Sequence, residues 1–162
     1  MPISLPPVPK WEGLHPLVVH FPIALLIVAP LFVATGMLLW ERTRAYAVAA
    51  LILMVLGTAG AWVSVASGVA AMGLATVNAE GREVMARHQE LAMLVRLAFS
   101  ILTALYAAIV ALPLFAKRLT PKVVVPVHLV FFVLYAGAVL VLAAQSHLGG
   151  RLVHEFGVQA LM

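Results

Sequence analysis

Four long apolar stretches constrain this chain more than any other feature of its sequence. A helix that crosses the hydrocarbon core of a bilayer needs roughly 20 consecutive, mostly apolar residues. Such stretches cover residues 15–40, 46–74, 88–115 and 122–145, and short polar segments separate them. Only 10% of the 162 residues are charged, whereas soluble domains have about 25%. The sequence therefore predicts an integral membrane protein with four transmembrane helices.

The short connections predict how the helices are arranged. Because short loops join neighbouring helices in antiparallel order, we expect an all-α, up-down-up-down four-helix transmembrane bundle over residues 15–145. Residues 1–14 are rich in proline and predict an extended N-terminal arm. Residues 78–87 are predicted to be a polar loop. The Gly149-Gly150 pair predicts the end of the fourth helix, and residues 146–162 are expected to form a C-terminal interfacial tail.

The positive charges predict an orientation in the membrane. Five of the Lys and Arg residues lie in the segments 41–44 and 116–122. The positive-inside rule places these segments in the cytoplasm, so that both termini face the periplasm if the host membrane is a bacterial inner membrane. Since the cations lie at the ends of apolar segments and not on one face, nucleic acid is excluded as a partner. The expected surroundings are the lipid bilayer.

The absence of cysteine excludes several chemistries. Without cysteine the chain has no disulfide, no thiolate nucleophile, no iron–sulfur cluster and no covalently attached haem. No loop contains a nucleophile with a paired base. We therefore expect an electron-transfer or accessory subunit rather than a catalyst that acts by itself.

The histidines converge on one face of the membrane. His128 lies towards the cytoplasmic side, but the other five histidines fall at the outer ends of the predicted helices. Polar residues at membrane depth are costly and usually functional. For each histidine alone, a role in capping or at the interface is the alternative to ligation. The five outer histidines are His15, His20, His88, His147 and His154.

His20 and His88 are the predicted ligands of one non-covalent haem b near the outer face. They have the same depth on alternate helices, which lie diagonally across an up-down bundle. His15 points about 140° away from His20 on the same helix, so His15 and His147 are reserve ligands. Arg96 lies in the apolar interior of the third span, where there is no acidic residue to pair with it, and a haem propionate, a quinone carbonyl or a lipid phosphate would suit it.

A stripe of small residues on the second predicted helix has two interpretations. At helical spacing, these residues let another surface approach closely. The first interpretation is simple packing of one helix on another, and the second is clearance for a flat cofactor. The stripe consists of Gly57, Ala61, Ser64 and Gly68.

Three segments together resemble a known family. Residues 14–25 read Leu-His-Pro-Leu-Val-Val-His-Phe-Pro-Ile-Ala-Leu and resemble the first signature of the domain of unknown function 2231 family. His88 and residues 148–158 are similar to the other two landmarks of that family. The resemblance covers residues 14–158. It implies a small four-span bacterial membrane protein that accompanies haem or dehydrogenase redox systems.

Several functions remain open at this point. The first is a subunit of an electron-transfer system that binds haem b. The second is a cofactor-free accessory subunit that packs on other membrane subunits of a larger respiratory or photosynthetic complex. The third is a copper or zinc site built from His15, His147 and His154. A transporter is disfavoured because no broken-helix pair or intramembrane acid marks a pathway.

Overall fold

Four helical segments dominate the structure. The computed structural model describes residues 10–39, 42–115 and 121–158. Within these residues there is no strand, and four segments are long and apolar enough to cross a membrane. The predicted all-α fold with four membrane spans is therefore confirmed. The four segments are Trp11–Leu38, Thr43–Met72, Ala79–Leu112 and Lys122–His154.

The first span is interrupted near its start. Pro22 explains this break, because it lacks the N–H that would bind the carbonyl of Val18 and its ring crowds that carbonyl. The helix resumes at once, so the span keeps its direction. Its three parts are a 3-10 turn (Trp11–Leu14), α1 (His15–Val18) and α2 (His20–Leu38).

The predicted extended arm is described only in part. Residues 1–9 lie outside the described residues, and Trp11–Leu14 is helical rather than extended. The N–H of Gly13 donates to the carbonyl of Lys10 at 2.9 Å and closes the turn. The first span therefore begins about one turn earlier than the apolar stretch suggests.

The helices form a closed ring of neighbours. α3 (Thr43–Met72) packs against α2 and α4, while α5 (Pro121–His154) packs against α4 (Ala79–Phe115) and α2. Consequently α2 lies diagonally opposite α4, as an up-down-up-down bundle requires. We call the end of the bundle that carries His15, residues 73–78 and residues 155–158 the histidine end.

α4 extends beyond the apolar stretch at the histidine end. Residues 79–87 are helical and not the predicted polar loop. A helix cap at Asn78 starts this extension. The Oδ1 atom of Asn78 accepts the N–H of Gly81 at 2.8 Å. Glu80 in the first turn adds a favourable interaction with the helix dipole.

α5 also continues past its predicted end. It runs through Gly149-Gly150 to His154, so these glycines do not end the helix. The true terminator is Gly157, which has φ 66°. The N–H of Val158 then donates to the carbonyl of Leu152 at 3.0 Å, the long bond of a Schellman cap.

The extensions of α4 and α5 pack on each other outside the main core. Val84, Met85 and Leu152 form a small buried cluster there. Arg151 donates to Glu155 at 2.7 Å, and this hydrogen bond lowers the pKa of the Glu155 carboxyl below its ordinary value. The described part of the tail is thus folded against the end of the bundle.

Aromatic side chains fill the centre of the bundle. Tyr106 stacks on Phe131 with ring centroids 4.6 Å apart. The hydroxyl of Tyr135 donates to the carbonyl of Leu26 at 3.1 Å. Because Pro30 lacks an N–H, that carbonyl has lost its usual partner within α2. Tyr135 therefore replaces the helix bond that Pro30 removes.

The arrangement of the spans predicts a labelling pattern. Single cysteines at Arg44 and Lys122 are expected to react from the same side of the membrane, and a cysteine at Thr76 from the opposite side. All three positions are exposed, and the sequence has no cysteine that would give a background. The measurement is labelling by a membrane-impermeant maleimide in vesicles of known orientation. Labelling of Arg44 and Thr76 variants from one side would contradict the four-span topology.

Candidate functional site

His15 turns its ring into the bundle. Its Nδ1 atom lies 2.8 Å from the main-chain carbonyl of Ser64 on α3 and 3.3 Å from the hydroxyl of Ser67. A carbonyl only accepts, so Nδ1 carries a proton, and in the neutral imidazole Nε2 then keeps its lone pair. The ring rests on Gly68, where an added Cβ would lie 2.8 Å from the Cε1 atom of His15.

His88 is held in the same way from the opposite corner of the bundle. Its Nδ1 atom lies 3.0 Å from the main-chain carbonyl of Gln145 on α5. The side-chain amide of Gln145 lies 3.2 Å from Nε2 and is placed to donate to it. The ring rests on Gly149, where an added Cβ would lie 3.0 Å from its Cε1 atom.

Both imidazoles line one cavity at the histidine end. The cavity has a volume of about 70 Å³. Ser64 also lines the cavity, and its hydroxyl is buried with no hydrogen-bond partner among the described residues. A buried hydroxyl without a partner indicates a place for water or for a bound polar group.

The same cavity is apolar on its remaining walls. Leucine, valine and alanine side chains surround the polar groups, which keeps bulk water at a distance. The site can therefore present two neutral nitrogen lone pairs to a ligand in a medium of low polarity. The apolar wall includes Ile23, Leu26, Ala61, Ala92, Val95 and Leu142.

The two adjacent glycines of α5 give a direct test of the contact with His88. Gly150→Ala is expected to raise the free energy of unfolding by about 1 kcal/mol, because alanine favours a helix and nothing lies within 4 Å of the added Cβ. Gly149→Ala is expected to give no increase in the free energy of unfolding, because the added Cβ would meet the ring of His88. Reversible unfolding in mixed micelles measures both variants, and equal gains would contradict the contact.

The structure does not bring His20 to this cavity. Its ring is exposed, and its Nδ1 atom lies 3.0 Å from the carbonyl of Pro16 on the same helix. His88 is therefore paired across the cavity with His15, which the sequence suggested only as a reserve ligand. His128 is buried near the start of α5, away from the histidine end, and its Nδ1 atom donates to the carbonyl of Val124.

The histidines of the C-terminal segment do not join the pair. His147 and His154 are both exposed and neither lines the cavity. Across the described ranges, no three His or acidic side chains lie close enough to hold a metal ion. The proposed copper or zinc site from His15, His147 and His154 thus has no support in the structure.

Arg96 lies outside the cavity. Its guanidinium carbon lies 4.3 Å from the ring centroid of Trp62, which is 52% exposed on α3. It is thus a neighbour of the lipid-facing surface and not of the imidazole pair.

One part of the small-residue stripe packs against a neighbouring helix, and the other part lines the cavity. An added Cβ at Gly57 would lie 2.8 Å from the side chain of Leu26, so that position provides close helix packing. Ala61, Ser64 and Gly68 line the cavity. The stripe therefore packs against α2 at Gly57, and its residues nearer the histidine end line the cavity.

The sequence-based reasoning missed Gln145 and Gly149. Gln145 supplies both a main-chain carbonyl and a side-chain amide to His88. A polar amide near the end of an apolar span was an available signal. Gly149 was assigned to helix termination, although a glycine within a helix also marks a close approach.

Fold and site together define a class: an all-α, multi-pass membrane protein with a polar cavity at one end of its bundle. The chain belongs to the DUF2231 family of predicted membrane proteins, which matches residues 12–161. This confirms the predicted resemblance to the family. No curated protein and no solved structure matches the chain. The family description gives a membrane location and no activity, so the function must be argued from the site.

Proposed function

We propose that the protein is a membrane subunit of a bacterial electron-transfer system and that His15 and His88 would hold one haem b. One observation carries this proposal. Two imidazoles from diagonally opposite spans line the same cavity, and each donates its Nδ1 proton to a carbonyl of a neighbouring helix. Such a bond orients a ligating histidine and leaves Nε2 available for a metal.

The donor atoms suit a haem better than a bare ion. A porphyrin supplies four nitrogen ligands to its iron, and His15 and His88 would supply the remaining two. A bare copper or zinc ion needs three or four protein ligands, and the described residues offer no such group. Since the chain has no cysteine, a haem here would be non-covalent. When bound, a haem supplies one-electron transfer.

The free volume sets a condition on this proposal. A cavity of about 70 Å³ holds a few water molecules and not a macrocycle. Haem binding therefore requires α1 and α4 to move apart at the histidine end, and the amide of Gln145 to leave Nε2 of His88. Three of the α3 residues that line the cavity, Ala61, Ser64 and Gly68, are small.

The proposed setting is the bacterial inner membrane, with the histidine end and both termini on the periplasmic side. The basic residues near the opposite end support this orientation. A single haem near one face needs an electron donor and an acceptor. Because the sequence has no cysteine for an iron–sulfur centre, we further propose that other membrane subunits of a redox complex supply them.

The optical spectrum of the protein tests this proposal. The protein is purified in mild detergent from the membrane in which it naturally occurs, and its reduced-minus-oxidised spectrum is recorded. We expect b-type bands with one haem per chain. A pure, folded protein without haem would overturn the proposal and favour the cofactor-free accessory subunit.

A further inference from the structure

Arg96 forms a second polar cluster on the outside of the bundle. Its guanidinium lies over the ring of Trp62, with 4.3 Å between the guanidinium carbon and the ring centroid. The indole N–H of Trp62 donates to the hydroxyl of Ser100 at 3.1 Å, and this hydroxyl donates to the carbonyl of Arg96 at 2.7 Å. The cluster joins α3 to α4 on an exposed face.

The cluster lies within reach of the lipid headgroups at the histidine end. The last charged residue of α4 before the apolar stretch is Glu90, which is exposed. Arg96 follows six residues later, about 9 Å deeper along the helix. α4 begins at the histidine end. The long, flexible side chain of an arginine at this depth can bring its guanidinium towards the membrane surface.

Among the described residues, no carboxylate forms an ion pair with Arg96. All three ion pairs of the described residues involve Arg87 or Arg151. No span contains an acidic residue in its apolar part. A guanidinium at this depth needs an anion or a route to the surface. Its planar donors match a phosphate group, and the indole beside it is typical of the interfacial region.

We propose that Arg96, Trp62 and Ser100 form a binding site for the headgroup of an anionic phospholipid in the leaflet at the histidine end. Arg96 binds the phosphate, while Trp62 holds the guanidinium in place and contacts the upper part of the acyl chain. Trp62 presents an exposed apolar ring for this contact. The site is separate from the imidazole cavity, which neither Arg96 nor Trp62 lines.

Quenching of Trp62 fluorescence by brominated lipid tests the proposal. In the full chain, Trp11→Phe and Trp40→Phe leave Trp62 as the single tryptophan. The protein is reconstituted in phosphatidylcholine vesicles that contain a minor fraction of either brominated phosphatidylglycerol or brominated phosphatidylcholine. We expect the anionic lipid to be enriched at Trp62 about fivefold, the effect of one cation near a membrane surface.

Arg96→Gln is expected to abolish this enrichment, and Arg96→Lys to retain part of it. Arg82→Gln is the matched control, because it removes the same charge from the same end of the bundle without touching Trp62. For each variant, the quenching by brominated phosphatidylglycerol is divided by the quenching by brominated phosphatidylcholine. Because both measurements use the same variant, a change in the intrinsic emission of Trp62 cancels in this ratio. Equal quenching by both lipids in the wild-type protein would overturn the proposal and favour an acidic group of a partner subunit. Enrichment that survives in Arg96→Gln would overturn it as well.

Discussion

Replacing His15 or His88 with alanine is expected to abolish the reduced b-type absorption bands of the purified protein. Each substitution would remove one of the two imidazoles proposed to hold the haem, and no other histidine of the described residues lines the cavity. The oriented Nδ1 atoms would otherwise fix both rings for binding. The measurement is the reduced-minus-oxidised spectrum and the haem content per chain.

His20→Ala is the matched control for this prediction. It removes a histidine from the same end of the same span, but the ring of His20 is exposed and bonded only to its own helix. The spectrum should therefore be unchanged, as it should be in His128→Ala. Loss of the bands in His20→Ala with retention in His15→Ala would contradict the assignment of the pair.

The two buried tyrosines are expected to respond in opposite directions to loss of their hydroxyl groups. Tyr135→Phe leaves the carbonyl of Leu26 without a donor, because Pro30 cannot supply one. An unsatisfied buried acceptor costs about 1–3 kcal/mol in the free energy of unfolding. The hydroxyl of Tyr106 is buried and has no partner among the described residues, so Tyr106→Phe should be neutral or stabilising.

A double-mutant cycle separates the energetic contribution of the hydrogen bond between Tyr135 and the Leu26 carbonyl from that of general packing. Pro30→Ala restores an N–H within α2, so Tyr135→Phe should cost less in that background than in the wild-type protein. Unfolding in mixed micelles measures each variant. Equal costs in both backgrounds would show that the hydroxyl of Tyr135 does not compensate for Pro30.

The architecture was predictable because length and hydropathy constrain a membrane chain strongly. An apolar stretch of sufficient length has to cross the bilayer as a helix, and short loops impose antiparallel neighbours. The diagonal placement of the first and third spans followed from that order alone. The helix extensions at residues 79–87 and 146–154 were missed because these residues are mostly polar or glycine, so that hydropathy does not indicate a helix there.

Which of His15 and His20 faces the cavity depends on the rotation of the first span about its own axis. The buried face of α2 contains Pro22, Leu26 and Ala29. His15 precedes Pro22 by seven residues, nearly two full turns, and so lies on the same face. The sequence thus contained a signal for His15, whereas His20 falls on the opposite face. Depth alone did not distinguish the two.

The partners of His88 were beyond sequence reasoning for a different reason. Gln145 and Gly149 contact this ring only because α4 and α5 have a particular register along the bundle. Register between two apolar helices depends on the fit of many side chains, which no local pattern encodes. The same holds for the contact of Arg96 with Trp62.

Chemical cross-linking of the two histidine positions tests the central claim, that His15 and His88 converge on one site, without relying on any cofactor. The sequence has no cysteine, so His15→Cys with His88→Cys introduces the only two thiols. Dibromobimane, a short reagent that bridges two nearby thiols, is added to membranes, and mass spectrometry counts the thiols joined within one chain. We predict efficient bridging of this pair and little bridging of the control pair His20→Cys with His88→Cys. Bridging of the control pair in preference to the first would contradict the account.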